Sequence, residues 1–324
     1  MNPASPSPST QHRSSLKPHL QPQLDAWRDL LAQCALKPSR KRVHALRSFT
    51  LRLRAALEFR LPEEAGDSAA APAFRRWKRA GKKLRRALEP VRNADVHLAQ
   101  LAGLRGVLGR PASSQPQGSP RCLREIGKLE RRLKRQRQKG ADALTAFFDA
   151  RGKRLNRLSH ELDAASPRMP STPGIATQDA LRIFTALAGE LPGLGSANLH
   201  AYRKRLKQPL YLAEFSAPAD PAARRLAVAM RKMHAAAGKW HDWQALASEA
   251  GRVLPRHGNR DGLVPVLNNL AEEALKRALG QCRRSTASLL KNPPGIPPSQ
   301  RRKPVARVEV HEALPTADKS LYVG

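Results

Sequence analysis

Aromatic side chains are scarce in this chain, at 4% of 324 residues. Proteins that bind single-stranded nucleic acids usually stack the bases on aromatic rings, so this scarcity argues against that class of binder. Duplex DNA and structured RNA remain candidate partners. The sequence also has no run of about 18 apolar residues, which a membrane-spanning helix would require, and we expect no membrane partner.

Cysteine is rarer still, and Cys34, Cys122 and Cys282 lie far apart. None of them belongs to the paired Cys-x-x-Cys motif of zinc and redox sites, and such isolated thiols are typical of a reducing compartment. Residues 1–22 are rich in Ser, Pro and Gln and lack the apolar segment of a secretory signal. We therefore expect a cytoplasmic protein.

Common catalytic motifs are missing as well. The chain has no Gly-x-x-x-x-Gly-Lys phosphate loop, no Gly-x-Ser-x-Gly turn and no His-Glu-x-x-His pair. His234, His241 and Asp242 are weak metal candidates, because positions seven apart on a helix are only loosely coupled. We expect a protein that is not an enzyme and that binds neither a metal nor a cofactor.

Positive charge is what the sequence has in excess. There are 59 Lys and Arg residues against 26 Asp and Glu, which gives a formal net charge of +33. Self-repulsion of this size destabilises a compact fold, so the cations are expected to line a surface that an anionic partner neutralises. Apolar residues make up 40% of the chain, which is enough to bury real cores.

The spacing of apolar residues predicts an all-α protein. Leu and Ala recur every three or four positions with Arg and Lys between them, and no alternating strand pattern is evident. Proline-rich stretches divide the chain, including Arg110–Pro120 and Ser166–Gly174. The predicted organisation is a disordered tail at 1–22, helical bundles at 23–165 and 175–291, and a Pro-rich tail at 292–324.

The two predicted bundles share a pattern. His44 and Arg47 open a basic helix in the first, and His200 and Arg203 open one in the second, 156 positions later. A second landmark, a basic residue three positions before an aspartate, follows in the same order in each half: Arg92 with Asp95, and Lys239 with Asp242. Two landmarks at similar offsets predict an internal duplication of one helical unit. The aspartates are expected either to orient cationic side chains or to cap a helix.

Each histidine helix is predicted to carry cations on one face and core residues on the other. The first cationic face holds Arg40, His44, Arg47 and Arg54, opposite Leu46, Phe49, Leu53 and Leu57. The second holds His200, Arg203 and Lys207 with Lys204 beside it, opposite Leu206, Leu210 and Ala213. Imidazole titrates near pH 6.5, so His44 and His200 would add donors whose charge rises in the field of an anion.

These segments resemble the CHAD family, the conserved histidine α-helical domain. The resemblance spans about residues 24–290 and rests on Val-His-x-Leu-Arg, on Leu-Arg-Leu-Arg-Ala-Ala-Leu, on Pro-Val-Arg-Asn-Ala-Asp-Val and on Leu-His-x-x-Arg-x-x-x-Lys. It implies two pseudo-symmetric helical bundles that bind inorganic polyphosphate in a basic central groove, with association with polyphosphate granules as a further expectation. The resemblance assigns to the ligand surface His44, Arg47, Arg52, Arg54, His200, Arg203 and Lys207, with Arg92 and Lys239 at the second landmark. Lys82, Arg85 and Arg86 are expected to extend the groove.

Three positions depart from the family pattern: Leu51, Asn93 and Leu210, which precedes Tyr211. Pro209 is also expected to kink its helix or end it near Arg205, and so to weaken the second half of the site. A nucleic-acid binder that uses the same charge on DNA or RNA phosphates is the alternative function. The oligomeric state is not predictable from these features.

Overall fold

The computed structural model describes residues 20–60, 70–109, 119–165, 173–254 and 262–291. These ranges contain eight α-helices, one short 3₁₀ helix at Leu191–Gly193 and no strand, so the all-α prediction is confirmed. The helices are α1 Leu20–Leu36, α2 Arg40–Arg60, α3 Ala70–Leu108, α4 Pro120–Ala164, α5 Pro173–Ala188, α6 Leu199–Ser216, α7 Pro221–Val253 and α8 Leu263–Lys291. Residues 1–19 of the tail predicted at 1–22, and the whole tail predicted at 292–324, lie outside the described residues. Helix α1 begins at Leu20, before the predicted tail boundary at 22.

The first core is enclosed by α1 to α4. Trp27 and Trp77 meet edge to face at its centre, with ring centroids 5.7 Å apart, and the indole of Trp27 donates to the hydroxyl of Thr50 at 2.9 Å. The predicted core face of α2 is confirmed, because Leu46, Leu53 and Leu57 are buried and Phe49 packs against them.

The long helices α3 and α4 run antiparallel along this core. Arg76 near the start of α3 contacts Glu161 near the end of α4, and Arg105 near the end of α3 contacts Glu130. Between these contacts, Gly140 approaches Pro90 so closely that an added Cβ would lie 3.1 Å from the proline ring.

The second core is enclosed mainly by α5 to α8. Leu206, Leu210 and Ala213 of α6 are buried in it, as predicted, beside Tyr202. Of the two expectations for Pro209, an end of α6 near Arg205 is wrong, because the helix continues through Pro209 to Ser216, and a kink stays a prediction. Proline removes one backbone donor from the helix, but burial of its neighbours on both sides stabilises the continuous segment.

A third core joins the two halves of the chain. Leu101, Ile126 and Leu129 pack in one cluster with Leu246 and Leu267. The carboxylate of Glu125 also accepts a hydrogen bond from the backbone N–H of Leu263 at 2.8 Å, which fastens the start of α8 to α4. The described helices thus lie within one compact unit, and the bundle boundaries and the duplication stay predictions.

The three cysteines are buried, unpaired thiols. Burial raises the pKa of Cys34 and of Cys282 to about 11, so both remain protonated at neutral pH. Within the described ranges, no helix is long and apolar enough to cross a membrane.

Candidate functional site

A cleft of about 750 Å³ opens where α2, α3 and α6 approach one another. Its lining holds one carboxylate, Glu58, and seven cations: Arg47, Arg54, Lys78, Arg85, Lys204, Arg205 and Lys207. Gln208 and Tyr211 complete the polar lining. We call this cleft the basic groove.

The helix periodicity explains how the groove receives its cations. Arg47 and Arg54 lie two turns apart on α2, beside the buried stripe and about 100° around the helix from Leu46 and Leu53. Lys207 and Tyr211 lie one turn apart on α6, beside its buried stripe as well. Burying each apolar face therefore directs the cations of both helices into the space between them.

Positive charge in the groove is poorly compensated. Burial, together with Arg203, Arg47, Arg85 and Arg92, lowers the pKa of Lys207 to about 8. Burial also lowers the pKa of Arg203; the carboxylate of Asp242 raises it in part, whereas Arg92 and Arg47 lower it further. These five cations are thus close enough to repel one another, and an anion in the groove would relieve that repulsion.

Several buried donors around the groove have no acceptor in the protein. The Nε–H groups of Arg47, Arg85 and Arg203 are shielded from water and make no hydrogen bond among the described residues. The carboxylate nearest to Arg47 is Glu89, at 4.0 Å, which is beyond hydrogen-bonding distance. A buried donor without an acceptor costs about 1–3 kcal/mol of stability, so each of these three groups destabilises the free protein.

The two landmark aspartates both hold arginine side chains. Asp242 accepts two hydrogen bonds from Arg92, at 3.0 and 3.3 Å, and so connects α7 with α3. Asp95 accepts one from Arg137 at 2.8 Å, and Arg137 also donates to the carbonyl of Pro38. Both aspartates lie in helix interiors, so of the two predicted roles the orienting one is observed. The partners differ from the sequence pairs, because Arg92 binds the aspartate of the other half.

The histidines are neutral in the free protein at pH 7. Partial burial, then Arg92 and Arg47, lowers the pKa of His44, whose ring is largely exposed. Burial and neighbouring cations likewise lower the pKa of His200, which stacks against His241 with ring centroids 4.2 Å apart. The titration expected near pH 6.5 is therefore shifted to lower pH.

Burial has a larger effect on two histidines of α7. It lowers the pKa of His241 to about 4 and that of His234 to about 3. Among the described residues, no group of three or more His, Cys, Asp or Glu side chains is arranged to hold a metal ion.

Four of the predicted site residues lie at the edge of the groove or have acidic partners. Arg52 pairs with Glu214 at 2.9 Å, and Arg54 pairs with Glu58 at 2.8 Å. Arg40 is exposed at the first position of α2, near His44, and Lys204 is exposed in the groove wall.

Three others face different openings. Lys239 lines a smaller cleft beside Arg203 and His234, on the α7 side of the site. Lys82 and Arg86 line a cleft between α3 and α4 that shares no residue with the basic groove, so of the three residues expected to extend the groove only Arg85 does so.

Sequence reasoning missed several groove residues. Lys78 lies seven positions before Arg85, so two-turn spacing on α3 is a signal that would have found it. Arg205 and Glu58 carry no such signal, because each is one charge among many on a basic helix.

Comparison with known proteins provides three findings. A protein-family model described as CHAD domain matches residues 18–251, which is more than half of the chain. The crystal structure of the CHAD domain from the plant Ricinus communis is similar in fold, with a TM-score of 0.53 and 17% identity over 85% of this chain and 86% of that chain. At that identity the likeness concerns the fold alone. No curated protein matches the chain.

Proposed function

Because the chain belongs to the CHAD domain family, as the match over residues 18–251 establishes, we propose that it binds inorganic polyphosphate in the basic groove. The surplus of cations in the groove is the main support for this function. Seven cations line the cleft, and Glu58, Glu89 and Glu190 lie within 4.0 Å of four of them. Arg85, Lys204 and Lys207 have no carboxylate at that distance among the described residues, and a polyanion would neutralise them together.

The side chains of the groove suit a chain of phosphates. Polyphosphate is flexible, carries about one negative charge per phosphate and has no bases to be recognised. Arginine forks engage nonbridging phosphate oxygens with two parallel hydrogen bonds. The unsatisfied Nε–H groups of Arg47, Arg85 and Arg203 are donors of the required kind.

Binding would also remove electrostatic strain from the free protein. Lys207 has a pKa of about 8 because burial and other cations disfavour its charge. A phosphate oxygen beside it would favour the ammonium form and raise that pKa again. Ligand binding would thus offset part of the free energy that the protein loses by holding these cations close together.

The shape of the site favours polyphosphate over duplex nucleic acid. The groove is bounded by three neighbouring helices and has a volume of about 750 Å³. A flexible single chain fits between such walls, whereas a duplex is too wide to enter and would reach only the exposed cations at the rim.

The proposed function is binding without chemical turnover, in the cytoplasm and at polyphosphate granules. The groups that line the groove are cations, which hold phosphate oxygens. We expect purified protein to leave polyphosphate and nucleoside triphosphates intact in the presence of magnesium or manganese, and phosphate release that scales with the protein would contradict this.

A competition titration tests the proposed ligand. Long-chain polyphosphate, duplex DNA and structured RNA compete for the protein at equal phosphate concentration and equal salt. We expect polyphosphate to displace both nucleic acids, and all three affinities to fall steeply with added salt as counterions are no longer released. If DNA or RNA prevails over the whole salt range, the function is nucleic-acid binding.

A further inference from the structure

A second basic cleft, of about 320 Å³, lies between the antiparallel helices α3 and α4. We call it the side cleft. It shares no lining residue with the basic groove. Its lining contains no carboxylate and seven cations: Arg76, Arg79, Lys82, Lys83, Arg86, Arg151 and Arg154.

Six of the seven cations of the side cleft have no acidic partner in the described part of the chain, whereas the cations elsewhere on the same two helices include both paired and unpaired ones. Elsewhere on α3 and α4, arginines such as Arg92, Arg105 and Arg137 form ion pairs with carboxylates. Among the described residues, Arg76 is the one side-cleft cation with a carboxylate within 4.0 Å, namely Glu161 at 3.1 Å. The other six cations face the opening without acidic partners.

The geometry of α3 keeps the side cleft apart from the groove. Lys78 and Arg85 face the groove and lie within about 20° of each other around the helix axis. Arg79, Lys83 and Arg86 are centred about 120° away on the same helix. The helix itself therefore separates the two openings.

The floor and length of the side cleft indicate its ligand. Leu155 is buried, Phe147 is half-buried, and both form an apolar floor beneath the ring of cations. The α3 wall from Arg76 to Arg86 is about 15 Å long, since a helix rises 1.5 Å per residue. A short, slim anion with several charges satisfies this arrangement.

We propose that the side cleft is a second, independent binding site for a short chain of phosphates. This chemistry occurs in inorganic oligophosphates and in the triphosphate of a nucleotide, whose base would lie on Phe147. The site goes beyond the groove function and does not depend on it, because no residue is shared. A protein with both sites holds two phosphate chains at once.

Calorimetric stoichiometry with inorganic tripolyphosphate tests the site on the full chain. Arg47→Ala, Arg85→Ala and Lys207→Ala together disable the groove, because they remove a lining cation from each of its three helices, and we expect one site to remain. Adding Arg79→Ala, Lys83→Ala and Arg151→Ala should weaken that site at least tenfold. As a matched control, substitution of the exposed residues Arg75, Lys134 and Arg135 by Ala in the same background should change it less than twofold.

Two results would overturn the second site. One is the absence of any tripolyphosphate binding once the groove is disabled, and the other is equal weakening by the side-cleft and control substitutions. Circular dichroism of every variant excludes loss of fold as the cause. Because the groove variant is the starting protein, the outcome does not depend on whether polyphosphate is the ligand of the groove.

A second titration identifies the source of the phosphates. ATP replaces tripolyphosphate in the groove-disabled protein, with and without Phe147→Ala. Tighter binding of ATP that Phe147→Ala abolishes assigns the side cleft to nucleotides. Equal or weaker binding of ATP assigns it to inorganic oligophosphate, and either result supports a phosphate site.

Discussion

Helices α2 and α6 begin with the same apolar-His-x-x-Arg pattern, yet their cations have different surroundings. On α2, Arg52 and Arg54 form ion pairs with Glu214 and Glu58. On α6, Arg203 and Lys207 have no carboxylate within 4.0 Å among the described residues, and burial lowers the pKa of both. Whether a cation of α2 or α6 keeps its charge available for a ligand therefore depends on where carboxylates lie, on the same helix in the case of Glu58 and on α6 in the case of Glu214.

The largest expected effect separates these two helices. Replacing Arg203 and Lys207 together by Ala should weaken polyphosphate binding about a hundredfold, because two charge-assisted contacts of about 1.5 kcal/mol each are lost. Replacing Arg47 and Arg54 by Ala should weaken it at least tenfold but less, since Arg54 is already paired with Glu58. Fluorescence titration at fixed salt measures both.

A charge-matched pair provides the control for these variants. Arg225 and Lys232 are exposed on α7 and line none of the three clefts, so their replacement by Ala should change affinity by about twofold or less. Circular dichroism must show the same helix content in each variant. Equal losses from all three double variants would mean that net charge alone drives binding.

The contact between Arg92 and Asp242 gives the next largest effect, on stability. Asp242→Ala leaves a partly buried guanidinium unpaired and should lower the free energy of unfolding by about 2 kcal/mol. The same change removes a carboxylate near the groove, so polyphosphate should bind more tightly, not less. For this one variant, urea unfolding should therefore report lower stability, while the titration should report higher affinity for polyphosphate.

An exposed ion pair serves as the reference for that measurement. Glu273 and Arg277 are about 60% exposed, and Glu273→Ala should change stability by less than about 0.5 kcal/mol. If Asp242→Ala shifts the urea midpoint as little as Glu273→Ala does, the contact between Arg92 and Asp242 contributes little to stability.

A smaller effect is expected from the pH dependence of Lys207. Its pKa of about 8 lies below the ordinary lysine value, so its charge is present below pH 7 and is lost as pH rises through 8. Affinity for polyphosphate should then fall up to about tenfold between pH 7 and 9. Lys207→Arg keeps the charge and should flatten this profile, whereas an unchanged profile would assign the titration to another group.

The histidines should contribute least. Burial and nearby cations lower the pKa of His44 and of His200, so both are neutral at pH 7 in the free protein. A bound anion favours the charged imidazole, and affinity should rise as pH falls below about 6.5. His200→Ala should therefore change affinity about twofold or less at pH 7 and remove part of the rise at pH 5.5. Complete loss of polyphosphate binding by His200→Ala at pH 7 would indicate that His200 has a structural role through its contact with the ring of His241.

The sequence was sufficient to predict the helical class and the two faces of α2 and α6. Leu46, Leu53, Leu206 and Leu210 are buried as their spacing required, because an amphipathic helix has only one way to bury its apolar stripe. Leu210 follows the same logic, since its side chain is buried in the second core and does not line the basic groove.

The pairing of charges was not predictable in the same way. Arg92 bonds with Asp242 and Arg137 with Asp95, and these partners are 150 and 42 positions apart. Such pairs depend on how whole helices pack, which local periodicity does not specify. The placement of Lys82 outside the groove has the same origin, because it depends on the rotation of α3 against α4.

Lysine-acylation footprinting tests the location of the polyphosphate site most directly. The protein is labelled at pH 8 with and without long-chain polyphosphate, and mass spectrometry reports each lysine. We predict strong protection of Lys78, Lys204 and Lys207 in the groove and little protection of the exposed Lys232 and Lys276. Protection of all five lysines to the same extent, or of Lys232 and Lys276 first, would contradict a polyphosphate site in the basic groove.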